Sequence, residues 1–233
     1  MSVLKVLGID TSGKNASVAV TEDGKLLAQY FVRTNKTHSQ VILPLCRKML
    51  EDLGIELNDI DRFAVAAGPG SYTGLRIGIS AVKALSFALD RQCNGISTLE
   101  AIAYNFAGTF DGYICTVMKA RLDIVYCAVF RMNGQKPEYC MADCMLTLGE
   151  LADKLAEFDS KIIAAGDAAE ELIKKTQQNN IFLAPAHLRE QLASGICMSA
   201  SDKEGQTPDK TEAFYMQITK AEKDLQEKNT GSC

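Results

Sequence analysis

Two stretches of the chain carry residues whose types and spacing could act on a phosphate. The first is Gly8-Ile9-Asp10-Thr11-Ser12. An acidic residue at the end of an apolar run, followed by hydroxyls and a tight turn, can orient a metal-bound nucleotide phosphate. The same residues can equally do no more than cap the turn. The second runs from Gly68 to Ser80, GPGSYTGLRIGIS. Gly68 and Gly70 permit positive φ and close backbone approach, Ser71 offers a hydroxyl, and Thr73 is placed to cap the helix that follows. Free amides at a helix N-terminus attract anions. Asp10, Thr11, Ser12, Gly68, Gly70 and Ser71 are therefore the candidates for weak nucleotide binding. Two details count against a full phosphate cradle. No Gly-Lys-Ser/Thr closes the loop, and Gly68, Gly70 and Gly74 are spaced G-x-G-x-x-x-G, which is not the dinucleotide pattern. Gly74 and Gly78 instead stand four apart on one helix face, with Ser80 and Ala81 also small. Small side chains at that spacing let another helix come close. The spacing favours helix packing, within the protein or between proteins, over phosphate binding.

Other reactive types are sparse. There are two histidines. His38 precedes an amphipathic segment and reads as a capping or surface residue; His187 is isolated, so no i, i+4 metal pair exists and no metal site is expected. Lys119-Ala120-Arg121-Leu122-Asp123 sits at a hairpin turn, where its charges read as solvation of that turn. The eight cysteines form no C-x-x-C pair. Cys115 and Cys127 lie in apolar runs and read as core residues. Cys140 and Cys144 could approach each other, but two thiols with few histidines nearby do not make a zinc site. The expectation is reduced, structural cysteines. Net charge is −4 and the isoelectric point about 5.3. Scattered basic residues argue against autonomous nucleic-acid binding, so any RNA would be held by something else.

The elements that must position these residues follow from periodicity. Apolar runs at 3–9, 17–20 and 25–32 read as three antiparallel strands, with Glu22-Asp23-Gly24 as a hairpin turn. Apolar residues at helical spacing mark helices over 39–53, stopped by Gly54, and over 73–89. A buried strand at 63–67 lies between them. Ser97-Thr98-Leu99-Glu100 and Thr147-Leu148-Gly149-Glu150 are capping boxes. The second half repeats the grammar, with strands at 113–117, 124–130 and 161–165 and helices to about 158, over 169–178 and over 188–199. A polar linker at 201–210 leads to a charged helix over 212–227, and 228–233 reads as frayed. Strands first, crossover helices, and recurrence of the pattern specify an α/β protein of two related lobes. The lobes are 1–104, with the closing helix (211–227) packing back on it, and 105–210. The 233 residues, 47% apolar and 23% charged, suit one sizeable core or two small ones. No run reaches the roughly 18 apolar residues of a membrane span, and no signal peptide is read at the N-terminus. The expected location is the cytoplasm.

Taken together, GIDTS, HSQVILP, AAGPGSYTGLRIGIS and KARLDIVYCAVF resemble, in order and spacing, the TsaB (YeaZ) family. The likeness covers the first 130 residues, and the glycine-rich stretch is its most specific piece. The resemblance implies an actin/Hsp70/sugar-kinase-like (ASKHA) fold. It implies a role in placing a threonylcarbamoyl group on the adenosine beside the anticodon of certain tRNAs. In that family the protein is a non-catalytic subunit that dimerises with and activates a catalytic partner, TsaD, and an ATPase subunit, TsaE, joins them. tRNA is then met only through the complex, and the chain alone is expected to form a homodimer. The family's contact uses the first two helices in a four-helix bundle. On this chain the implied contact residues are His38, Ser39, Ile42 and Leu43, and Thr73, Gly74, Arg76, Ile77, Gly78, Ser80 and Ala81. No catalytic residue and no required cofactor is expected, beyond weak ATP or ADP binding at a subunit interface. The closing helix departs from the family: Tyr215-Met216-Gln217 stands where an aromatic followed by Leu-Arg is common. Two readings compete. One is a small kinase or ATPase using Asp10; the other is a metallopeptidase-like hydrolase.

Overall fold

The computed structural model describes residues 3–134 and 136–216. Its first sheet starts as a meander of β1 (Lys5–Asp10), β2 (Asn15–Glu22) and β3 (Lys25–Arg33). β4 (Arg62–Gly68) and β5 (Gln92–Ser97) extend it in parallel on the other side of β1, giving the order β3-β2-β1-β4-β5. Val6 to Asp10 and Phe63 to Gly68 are all buried. Such unbroken burial is the signature of central strands covered on both faces. On one face lie α1 (His38–Leu53) and α2 (Tyr72–Ala88); on the other lies a late helix, α6 (Ala193–Ser201). α1 ends where Gly54 takes a left-handed φ of 63° and its amide turns back to the Leu50 and Glu51 carbonyls, a termination that glycine makes without a Cβ penalty.

The second sheet repeats the plan. β6 (Asp111–Arg121), β7 (Ile124–Asn133) and β8 (Pro137–Thr147) form the meander, and β9 (Ile162–Ala165) and β10 (Ile181–Leu183) run parallel beyond β6. Its order, β8-β7-β6-β9-β10, is the order of the first sheet. α4 (Leu148–Leu155) and α5 (Ala169–Lys175) cover it with a core around Val117, Cys127, Leu151 and Leu172. α3 (Thr98–Tyr104) lies at the seam, where Leu99 and Ile102 pack with Phe130 and Met132 of the second sheet.

Several local expectations change. β5, β8 and β10 were not anticipated as strands, because Gln92-Cys93-Asn94-Gly95 and the mixed 137–147 stretch lack strict alternation. The helix expected over 188–199 is a short 3-10 turn, Ala186–Leu188, followed by α6. α6 packs on β1 and β2, so the chain returns to the first lobe near residue 193 and not at 211. Residues 211–216 carry no regular structure and are not helical; the remainder of the expected closing helix lies outside the described residues. The Thr147 capping box forms in full, with Glu150 N donating to Thr147 Oγ1 at 3.2 Å and Thr147 N donating to Glu150 Oε2 at 2.8 Å. The Ser97 box forms by half. Ser97 Oγ accepts from Glu100 N, but the Glu100 carboxylate turns away to Lys203 at 2.6 Å and Ser199 at 3.0 Å. A nearly buried carboxylate takes a cation in preference to a neighbouring amide.

Candidate functional site

The β1 turn and the glycine loop meet at the N-terminus of α2. Asp10 is fully buried. Its Oδ1 accepts from Ser12 N at 2.8 Å and from Ser12 Oγ at 2.7 Å, and its Oδ2 is buried without a partner. Burial pushes the Asp10 carboxyl above the ordinary carboxylate value; the Ser12 hydroxyl and amide, and His38 nearby, pull the other way. Thr11 is buried too, its Oγ1 donating to the Gly74 carbonyl at 2.7 Å. Ser71, not Thr73, caps α2, accepting from Gly74 N at 3.2 Å. The loop folds under the first turn through Ser71 N, which donates to the Ser12 carbonyl at 2.7 Å.

The small face of α2 points inward. A Cβ on Gly74 would collide with the Thr11 carbonyl oxygen, and one on Gly78 would sit 2.5 Å from Thr11 Oγ1 and 3.1 Å from Val65 Cγ2. This corrects the placement of Gly74 and Gly78 at a subunit contact. The close approach is between α2 and its own sheet, because β1 and β4 are the nearest backbone that the helix can reach. Gly68 serves an intramolecular contact as well: with φ of 129°, it lies directly beneath the Phe214 carbonyl.

Residues 211–216 strap this loop. Phe214 N donates to the Ala67 carbonyl at 2.7 Å, and Tyr215 stacks on Tyr72 with ring centroids 5.0 Å apart. The Arg76 guanidinium lies 4.9 Å from the same Tyr72 ring. Beyond the strap opens a cleft of about 1230 Å³ between the lobes. Of the six nucleotide candidates, Ser12, Gly70 and Ser71 line it; Asp10, Thr11 and Gly68 do not. Lys14 and Arg33 reach it from the first lobe, and Lys119 and Arg121 from the second. Lys119 and Arg121 were read as solvating a turn. They stand in the cleft wall because the β6–β7 hairpin faces the first lobe's glycine loop. Arg33 is held by Glu190 at 2.9 Å and Lys119 by Glu171 at 2.6 Å. With Ser12 and Ser71, these cations could hold an anion. No group of three or more metal-ligating side chains converges among the described residues.

The outer faces of α1 and α2 enclose a different kind of surface. Ser39, Ile42 and Leu43 of α1 and Thr73, Arg76, Ile77, Ser80 and Ala81 of α2 line one groove of about 560 Å³, joined at its end by Tyr72. These are the expected contact residues apart from Gly74, Gly78 and His38. His38 is turned toward the β1–β2 turn, its Nε2 donating to the Gly13 carbonyl at 3.0 Å. At Leu43 this groove adjoins a second, of about 690 Å³, lined by Cys46, Leu50, Ile55, Leu57 and Leu85. That second groove was not anticipated; the apolar positions of 39–53 exceed what one buried stripe needs, which was its only signal.

Against known proteins, the model of the family described as TsaD, tRNA N6-adenosine threonylcarbamoyltransferase, matches residues 32–226. The tRNA threonylcarbamoyladenosine biosynthesis protein TsaB of Buchnera aphidicola is 31% identical over 169 residues, 70% of this chain and 78% of that protein. The chain belongs to the TsaB family. TsaB of Bacillus subtilis is 28% identical over 227 residues, 94% of this chain and 96% of its own length. Among solved structures, a Pseudomonas aeruginosa protein described as similar to peptidase YeaZ superposes with a TM-score of 0.81 at 23% identity, covering 92% of this chain and all of that one. The ethanolamine utilization protein EutJ of Carboxydothermus hydrogenoformans superposes with a TM-score of 0.52 at 13% identity, over 85% of this chain and 90% of that one. The fold is the actin/Hsp70/sugar-kinase-like one, with the same strand order in both of its sheets. As a TsaB family member, the chain shares its architecture with the TsaD-like transferases. Among the described residues no helix is long and apolar enough to cross a membrane.

Proposed function

We propose that this chain is the non-catalytic scaffold and activating subunit of a tRNA threonylcarbamoyladenosine-forming transferase, pairing with a TsaD-like catalytic subunit through the outer faces of α1 and α2. The observation that carries this reading is the apolar groove those helices leave open, with Leu43 and Tyr72 about half exposed at its rim. Exposed apolar surface gathered into one rimmed groove marks an interaction face. Without its partner the same face closes on a second copy of itself, giving a homodimer, and a TsaE-like ATPase joins the assembled pair. tRNA is bound through the complex.

The sealed Asp10 supports the non-catalytic half of the reading. A carboxylate that orients a metal must present an oxygen to it; here one oxygen is taken by Ser12 and the other is shut inside. Nucleotide binding in the interlobe cleft is then weak, through cations and hydroxyls without a metal, and no cofactor is required. The test is reconstitution of threonylcarbamoyl transfer to tRNA by TsaD and TsaE, with and without this chain. Transfer should depend on the chain, and the Leu43→Asp variant should lose both TsaD co-purification and activation while melting with the wild type. Undiminished transfer without the chain would sink the proposal. Metal-dependent ATP turnover by the purified chain, lost in Asp10→Asn, would replace it with the kinase or ATPase reading.

A further inference from the structure

We propose that Cys127 and Cys144 form a dithiol site that exchanges with low-molecular-weight disulfides and closes into a cross-strand disulfide. The two residues stand directly opposite each other on β7 and β8, on the same face of an antiparallel pair, with their sulfurs 3.6 Å apart. A disulfide needs about 2.05 Å between sulfurs and Cβ atoms near 3.8 Å, and opposed side chains in such a pair have Cβ atoms about 4.5–5.5 Å apart. Closure therefore asks for small torsional movement within one hairpin and no rearrangement of the sheet. The partner of Cys144 is not Cys140. Four residues along a strand span about 13 Å, which puts those two thiols out of reach of each other.

Exposure divides the roles. Cys144 is half-buried and meets solvent, whereas Cys127 is fully buried beneath it. Cys144 loses its proton to solvent, and its thiolate attacks one sulfur of the reagent RSSR. The reagent's S–S bond breaks, and RS⁻ leaves and takes up a proton. The Cys127 thiol then attacks Cys144 Sγ; the mixed disulfide breaks, and the departing RS⁻ takes the Cys127 proton and leaves as the second RSH. Two protein thiols are oxidised and one RSSR is reduced to two RSH. Burial first, and then the neighbouring Cys144 charge, hold the Cys127 thiol above its ordinary value. Capping Cys144 removes that second contribution, so the first step prepares the second. Cys115 is buried nearby, but it faces Val129 across the β6–β7 ladder, not Cys144. A closed bond would tie β8 to β7. β8 also carries Asp143, which accepts a 2.5 Å hydrogen bond from Ser97 at the end of β5, so the tie bears on the seam between the lobes.

The experiment uses the full chain, folded, with oxidised glutathione as the probe. After exposure, free thiols are blocked with iodoacetamide and the peptides are mapped without reduction. Wild type should give the Cys127–Cys144 linked peptide and no glutathione retained at Cys144. Cys127→Ser should trap glutathione on Cys144, and Cys144→Ser should leave Cys127 unmodified. Circular dichroism of both variants checks that they fold; if either fails, the wild-type peptide map decides alone. A stable glutathione adduct on wild-type Cys144, linkage of Cys144 to Cys140 instead, or no reaction at either residue would each overturn the proposal.

Discussion

Replacing Gly74 with alanine tests which way the small face of α2 points. The new Cβ would overlap the Thr11 carbonyl oxygen. The Cβ position is fixed by the backbone and meets a backbone oxygen, so no rotamer relieves the clash, and the N-terminal turn of α2 must lift away from β1. Forced overpacking of this kind costs about 1–3 kcal/mol. Lifting the turn also strains the buried bond from Thr11 Oγ1 to the Gly74 carbonyl, which puts another ~1–3 kcal/mol at risk. Alanine returns about 1 kcal/mol of helix propensity. The net loss centres near 3 kcal/mol, which for a chain of this size lowers Tm by roughly 6–12 °C. Thermal unfolding followed by circular dichroism measures it, with Ser80→Arg run alongside. Ser80 is exposed in the groove, so its variant should keep Tm within about 2 °C and lose TsaD binding. Gly74→Ala should melt early yet still bind TsaD at low temperature. If Gly74→Ala melts with the wild type but fails to bind, the glycine face is the docking face and the inward assignment is wrong.

Asp10 takes up a proton more readily folded than unfolded, so it favours the fold at low pH, and that contribution disappears as pH rises through its raised folded value. Asp10→Asn should therefore flatten the stability profile from about pH 4 upward, measured by urea unfolding across a pH series; parallel curves would refute the burial argument. Lys203→Met leaves the Glu100 carboxylate facing Ser199 alone and should cost about 1–3 kcal/mol, partly recovered by adding Glu100→Gln; equal losses in the single and double variants would deny the pairing. Tyr215→Ala removes the ring stacked on Tyr72, worth about 0.5–1.5 kcal/mol. It should speed proteolysis within 211–216, and an unchanged cleavage rate would mean that the strap is held elsewhere.

Much of the site was legible because local rules and tertiary packing agreed. The amphipathic repeat of 39–53 and the stop at Gly54 gave α1 and its exposed row, and the glycine loop marked the start of α2 within a residue or two. The strands of the first meander, and β6 and β7 of the second, followed from apolar runs and a hairpin turn. What was illegible depended on contacts distant in sequence. β5 and β10 have little pattern of their own and are strands because β4 and β9 offer them edges. The Lys119–Arg121 hairpin looked like a solvated turn, and only the facing lobe makes it a cleft wall.

The amino-acid sequence by itself determined the duplicated α/β plan, the family, and the two helices α1 and α2, since each is written in periodicity or in a motif of fixed spacing. The tertiary structure alone decided direction. It turned Gly74 and Gly78 toward Thr11 and Val65, sealed Asp10 under Ser12, laid Phe214 over Gly68, and set Cys144 against Cys127. Spacing states which residues share a face of an element. Which neighbour that face meets is set by crossover connections and sheet order, and those bring together residues that no local pattern links.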